Sequence, residues 1–464
     1  MNPGARLAVM PQVAAWLPWG VALLAATMLF VLFAPGWFTF DTAHQWWMAR
    51  HGELDSTHPA VMVRLWQASR ALLPDPQGFF ALQLGLMWGG LAFVVTALPV
   101  RTRWRVAVLL GLGLWPAFLA LQPQVWKDLW MVGALLWAMG ALLREQAAPA
   151  WRWRGLALLM LALATAFRFN AITGVLPLWA WLAWRIARVP TRVAPAAEGG
   201  RVRARPRARV AVALLSLPVL LVLAALPDRL GTVRHVTVWP IVALWDLAAV
   251  SMETGRMVIP AAFLKPGATV EDLAKDFDPT VNVPSFTTGT IRFHYEMDVP
   301  PGDLAALRDA WVALPVNEPR AWARHRLRLS SYLFGLRNEA LADTQVLMPD
   351  LVPFQDNPPL VMAPSGPRDV LVATWHRWVD GPFFMGWLYA VLAAVVFGVA
   401  LWCRRIAPAA LAASGLAMVA PLVPLATAAD FRYLLWLVVA SLLALVVLLV
   451  PAAPGRATSP GPAA

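Results

Sequence analysis

One cysteine, Cys403, leaves this 464-residue chain without an internal disulfide in any compartment. Charge is scarce as well. Asp, Glu, Lys and Arg make up 14% of the residues, against roughly 25% in a soluble globular chain. Lysine occurs three times among the 38 cations, at Lys127, Lys265 and Lys275, and the Arg bias with 40 Pro reflects a GC-rich coding sequence rather than a mechanism. No internal repeat of fixed period is visible, which argues against a solenoid and against the paired halves of many transporters. With 59% apolar residues and a mean hydropathy of +0.61, these shortages exclude an ordinary soluble enzyme.

What is abundant is long apolar runs. About 20 such residues at 1.5 Å rise cross the hydrocarbon layer. Runs at about 13–35, 79–99, 105–121, 126–143, 209–226, 385–402, 407–427 and 431–451 meet that length. The first is too long for a signal-peptide core and reads as a retained anchor. The stretch 155–184 is long for one span and carries Phe167-Arg168-Phe169-Asn170 at its middle, a costly insertion at the bilayer centre. Two short spans, about 152–167 and 171–186, keep every basic loop on one side, so ten spans are expected. With both termini cytoplasmic, the cytoplasmic segments hold 18 Lys and Arg against 2 Asp and Glu, and the other side 20 against 24. The split of +16 and −4 follows the positive-inside rule. The Arg201, Arg203, Arg205, Arg207 and Arg209 run then reads as a topology signal in contact with anionic lipid, not as a nucleic-acid arm.

Four units follow: an N-terminal membrane module at 1–227 with its first outer loop at 36–78, an outer domain of mixed secondary structure at 228–383, C-terminal membrane helices at 384–451, and a Pro/Gly/Ala-rich disordered tail at 452–464. Within the outer domain, Asn317 as N-cap and Pro319 in the first turn predict a helix over Trp322 to Leu336.

Polar residues gather at the expected outer ends of the spans. In the first loop a helix starting near Asp41 puts Asp41, His44 and Gln45 on one face, with Asp41 or Thr42 as N-cap and Thr42 to Gln45 as a capping box. Asp55 and His58 lie farther along that loop. Lys127 and Asp128 open the fourth span, Arg168 and Asn170 form the apex of the fifth–sixth hairpin, and Arg432 and Tyr433 open the last span. An interfacial anchor explains Lys127 or Arg432 singly. Cations at head-group height beside an acidic loop together suit a lipid phosphate and a nearby proton acceptor. His44, His51 and His58 lie seven apart, beside Asp41 and Asp55, and their ligand chemistry permits a divalent cation. Turns at Gly52 and Pro59 break that spacing, so no metal ligand is assigned.

Asp41-x-x-x-Gln45, Asp55-x-x-His58-Pro59, Lys127-Asp128, Arg168-x-Asn170 and Arg432-Tyr433, in this order, resemble a GT-C-type membrane glycosyltransferase, the superfamily of aminoarabinose transferases and protein O-mannosyltransferases. The resemblance covers about 13–226 and 385–451. It implies an all-α transmembrane bundle in the bacterial inner membrane, a polyprenyl-phosphate sugar as donor, a glycan, lipid or protein acceptor, and inverting transfer on the extracytoplasmic face. It also implies Asp41 as catalytic base, with Asp55 as the competing carboxylate. Gln45, His44, His58, Lys127, Asp128, Arg168, Asn170, Arg432 and Tyr433 are then the substrate contacts. Many relatives carry paired acids where Asp41 is followed by Thr42. The alternatives are a polytopic transporter and a non-catalytic factor for envelope polysaccharide assembly.

Overall fold

A computed structural model describes residues 3–71, 73–189, 206–287, 289–294, 297–337 and 346–451. Arg201, Arg203, Arg205 and the expected disordered tail lie outside the described residues. The chain runs through α1 (Pro3–Phe33), α2 (Phe40–His51), α3 (Ala60–Arg70), α4 (Gln77–Ala97), α5 (Thr102–Gly113), α6 (Pro116–Leu119), α7 (Lys127–Ala147), α8 (Trp151–Phe167), α9 (Ile172–Arg188) and α10 (Pro206–Arg229). Next come α11 (Trp239–Thr254), α12 (Val270–Asp276), α13 (Pro284–Thr287), α14 (Pro301–Asn317), α15 (Pro319–Leu333) and α16 (Gly366–Trp378). The last are α17 (Gly386–Trp402), α18 (Ile406–Val419), α19 (Leu422–Leu425) and α20 (Leu435–Leu449).

Among the described residues, five helical stretches are long and apolar enough to cross a membrane: Ala15–Phe33, Gln77–Ala97, Pro206–Arg229, Ile406–Leu425 and Phe431–Leu449. Their surroundings differ. Gln77–Ala97 is 72% buried in protein, whereas Ala15–Phe33 and Pro206–Arg229 are 28% and 22% buried. So much uncovered apolar surface on α1 and α10 suits a hydrocarbon solvent and not water. α4 packs between α1 and α7, α7 packs on α8, and α18 is flanked by α9, α17 and α20. Gly133 and Gly140, seven apart on α7, face α4. A methyl on either would collide with Leu86 or Phe93, so their smallness sets the approach of the two helices.

The ambiguous stretch at 155–184 is two helices. α8 and α9, each 17 residues and about 26 Å long, meet at an extended Arg168 and a single 3-10 turn, Phe169–Ala171. The apolar run 105–121, expected as one span, is instead broken before Pro116, which leaves α5 only 12 residues long. The residue preceding a proline is pushed out of the helical region, and Trp115 is accordingly non-helical.

The segment 228–383, expected to be of mixed secondary structure, is not mixed. Among the described residues 228–383 holds helices and isolated bridges but no strand. Its prolines explain the misreading. Pro240, Pro301, Pro319 and Pro367 occupy first-turn positions of α11, α14, α15 and α16, where a missing N–H costs nothing. The α15 N-cap is Glu318, not Asn317, which closes α14, and the helix ends at Leu333. A second hydrophobic core, separate from that of the bundle, includes Leu244, Leu247, Phe263, Leu307 and Leu314. The other face of α15, with Leu329 and Leu333, belongs to the main core.

Candidate functional site

α2 is fixed before its first residue. Trp37 N–H donates to the Pro123 carbonyl at 2.8 Å and Val125 N–H to the Trp37 carbonyl at 3.1 Å, tying the end of α1 to the start of α7. On its other side Phe38 exchanges backbone bonds with Asp350 and Val352, each at 2.8 Å. This double pairing replaces the expected cap. Thr39 precedes the helix without a side-chain cap bond, and the Thr42 hydroxyl donates to the Val125 carbonyl at 2.8 Å. Gln45 donates from Nε2 to the Asp41 carbonyl at 2.7 Å, so no capping box forms. Asp41 lies in the first turn with its carboxylate directed elsewhere.

That carboxylate meets Arg432, 391 positions away, with Nη1 at 3.2 Å from Oδ2. Arg432 also pairs with Asp430 at 2.7 Å and lies over the Trp126 ring at 4.9 Å. Arg168 reaches the same place from the α8–α9 apex: it pairs with the buried Asp128, donates to Asn170 Oδ1 at 3.1 Å, and lies 4.9 Å over the Tyr433 ring. Lys127 adds a third basic side chain, and among the described residues its amine nitrogen has no hydrogen bond or ion pair. The start of α7, the α8–α9 apex, the start of the last helix and the first loop thus converge at one end of the bundle. Lys127, Asp128, Arg168, Asn170, Arg432, Tyr433 and Asp41 are brought together there.

The charges decide the protonation states. Burial would raise the Asp41 carboxyl, but Arg432, with His58 and Lys127, outweighs it and holds Asp41 well below the usual carboxylate range. Its side chain is still a third exposed. His58 is pushed down to about 3 by burial and by Lys127, so its imidazole is neutral at pH 7. Asp430 is pushed up to about 6 by burial, against the pull of Arg432.

Asp55 sits apart from this cluster and is heavily engaged. It accepts from Thr57 N–H at 2.9 Å and from the Thr57 hydroxyl, and approaches His44 at 3.5 Å and Arg234 at 3.8 Å. His44 links the two carboxylate neighbourhoods, its ring 5.2 Å from that of His58 and stacked at 4.8 Å on Phe354. Among the described residues the Nδ1 atom of His58 and Oε1 of Gln45 are buried without a partner. His51 turns to Asp356 at 2.9 Å, away from the other two histidines. Among the described residues no three His, Cys, Asp or Glu side chains gather to hold a metal ion.

Sequence reasoning missed the part played by Asp430 and the Trp126 ring. An acid two positions before an Arg at the start of an apolar helix was the available signal for Asp430. Phe354 and Asp356, which cover α2, stand in an irregular Pro-rich segment that carries no periodic signal. No protein-family model, curated protein or solved structure matches the chain.

Proposed function

We propose that the chain is an integral membrane glycosyltransferase, moving a sugar from a polyprenyl-phosphate donor to an envelope glycan, lipid or protein acceptor with inversion at the extracytoplasmic face. The observation that carries this reading is an ionised, partly open Asp41 paired with Arg432, beside Arg168 and a Lys127 that has no partner among the described residues. In the ten-span reading supported by the +16/−4 charge split, the cluster sits at head-group height on the outer face, where a lipid phosphate is presented.

The chemistry follows from the residues. Lys127, Arg168 and Arg432 take the donor phosphate. As Arg432 turns to it, Arg432 loosens its hold on Asp41, whose basicity rises. Asp41 accepts the proton of the acceptor hydroxyl as that oxygen bonds to the anomeric carbon. The bond from that carbon to the phosphate oxygen breaks, and the three cations stabilise the charge gathering on the departing lipid phosphate. One displacement needs no carboxylate nucleophile, unlike retaining hydrolysis. Asp55, committed to Thr57, His44 and Arg234, suits a structural role better than that of the base.

Comparing envelope glycans of a deletion strain complemented with wild type, Asp41→Asn or Asp55→Asn tests this. The deletion glycan should persist with Asp41→Asn and be repaired by Asp55→Asn. Repair by both variants would refute the carboxylate mechanism.

A further inference from the structure

The second core region ends in a buried ion pair that the chemistry above does not use. Asp246 on α11 is fully buried and accepts from Arg326 Nη2 at 2.6 Å and from the Trp311 indole at 2.7 Å, with His325 Nε2 at 3.2 Å. Removing two such charges from water is expensive, and a buried pair of this kind is poor support for stability alone. Its geometry has a direction. The second arm of Arg326, Nη1, donates to the Ala426 carbonyl at 2.7 Å. Ala426 ends α19, where a backbone acceptor is left without a helical partner. Two further contacts grip the same strip of chain: Ala429 N–H donates to the Thr280 carbonyl at 2.7 Å, and Val281 bridges Ala428. Asp430 follows immediately and caps the turn carrying Arg432, its side chain accepting from the Arg432 N–H at 3.2 Å.

We infer that Arg326 is a positioning residue: anchored on Asp246, it fixes the 426–430 strip through the Ala426 carbonyl and thereby holds Arg432 where it meets Asp41. A planar guanidinium can serve both acceptors at once, whereas a lysine ammonium on this reach serves one. The region at 239–333 is therefore a brace for the anion-binding arginine as well as a separate core. This deepens the transferase reading, because it assigns a setter to the residue proposed to take the donor phosphate.

The test uses the full chain in nanodiscs, with Cys403→Ser removing the one native thiol and Leu425→Cys, on the exposed side of α19, carrying a nitroxide label. Arg326→Lys keeps the charge on Asp246 and gives up the arm to Ala426; Arg326→Gln removes both. Arg324→Lys, two positions earlier on α15 in the exposed pair with Glu253, is the control. The label should become more mobile in Arg326→Lys with the melting temperature close to the parent, and stay unchanged in Arg324→Lys. Binding of undecaprenyl phosphate, the probe, should weaken roughly tenfold in Arg326→Lys, as expected for losing one charge-assisted bond. An immobile label with unweakened probe binding in Arg326→Lys would overturn the brace. A mobile label combined with no probe binding even by the parent would uphold the brace and sink the transferase reading.

Discussion

The two ends of α7, α8 and α9 answer the same problem in opposite ways. At one end Glu145, fully buried, is shared by Arg154, at 2.9 and 2.8 Å, and Arg185, at 2.6 Å. Arg154 spends its remaining donor capacity on the Arg185 and Val189 carbonyls, and Arg185 on that of Glu145. The three charges of this knot are met within it, and none of Glu145, Arg154 and Arg185 is exposed. At the other end the same helices present Lys127, Asp128 and Arg168, joined by Asp41 and by Arg432 with Asp430. Among the described residues that end has one lysine amine without a partner, one carboxylate a third exposed, and buried orphan atoms at His58 Nδ1, Gln45 Oε1 and Asp128 Oδ2. A closed knot has its charges answered from within the fold, so that removing one partner is costly. An open cluster of the same residue types stores unmet bonding capacity, as a binding site must before its ligand arrives.

The largest expected effect separates the two ends by kind. Asp41→Asn keeps the volume and should lower transfer from a defined polyprenyl-phosphate sugar by about 10²–10⁴ in rate, with little change in melting temperature. Near-parental turnover would remove Asp41 from the chemistry. Glu145→Gln should do the reverse. With the shared carboxylate gone, Arg154 and Arg185 stay buried without their counter-ion, a loss of about 3–5 kcal/mol in thermal or denaturant unfolding. Turnover per folded molecule should hold, and a selective loss of activity would erase the distinction between the ends.

Smaller effects sharpen it. Arg168→Ala should weaken undecaprenyl-phosphate binding roughly tenfold, with Arg168→Lys recovering part because a point charge lacks the fork. Unchanged affinity in purified Arg168→Ala would take Arg168 out of the phosphate site. The smallest concerns pH. Asp430 is raised to about 6, so acidifying from pH 7.5 to 5.5 protonates it in the folded protein while it would still be ionised in an unfolded chain. Arg432 then has one counter-charge fewer, and affinity for a phosphonate analogue or lipid phosphate, corrected for the ligand's own protonation near pH 6, should rise roughly threefold as pH falls. Asp430→Asn should flatten that profile, whereas a rise that persists in the variant assigns it to another group.

Much of this was visible in the amino-acid order, and the reason is local. Arg168 and Asn170 inside an apolar stretch marked a turn, because a helix apex is where polar groups escape hydrocarbon, and the turn is there. Pro116 was equally visible and was overlooked within a run that averaged as apolar. The prolines of 228–383 were seen but read as loop punctuation rather than as helix starts. What lay beyond reach is pairing at a distance. Nothing near Asp41 announces Arg432, and nothing in α11 announces that Asp246 will hold an arginine 80 positions on, itself fixed to a carbonyl 100 positions farther. Thr42 fits a capping box by its neighbours, yet its hydroxyl is claimed by Val125, 83 positions away.

The span between Asp41 and Arg432 also fixes when the site can exist. Chains are made from the amino end, and early segments fold while later ones are still being synthesised. α1 to α9, with Asp41, Lys127, Asp128 and Arg168, are complete before Asp350 and Val352 arrive to grip Phe38, and Arg432 comes later still. A chain halted at Val419 would carry both first-loop carboxylates and two of the three cations, and lack the one that answers Asp41. Under the proposed transferase reading, competence is therefore withheld until the last helix is in place, since a half-made copy lacks the arginine that completes the proposed centre.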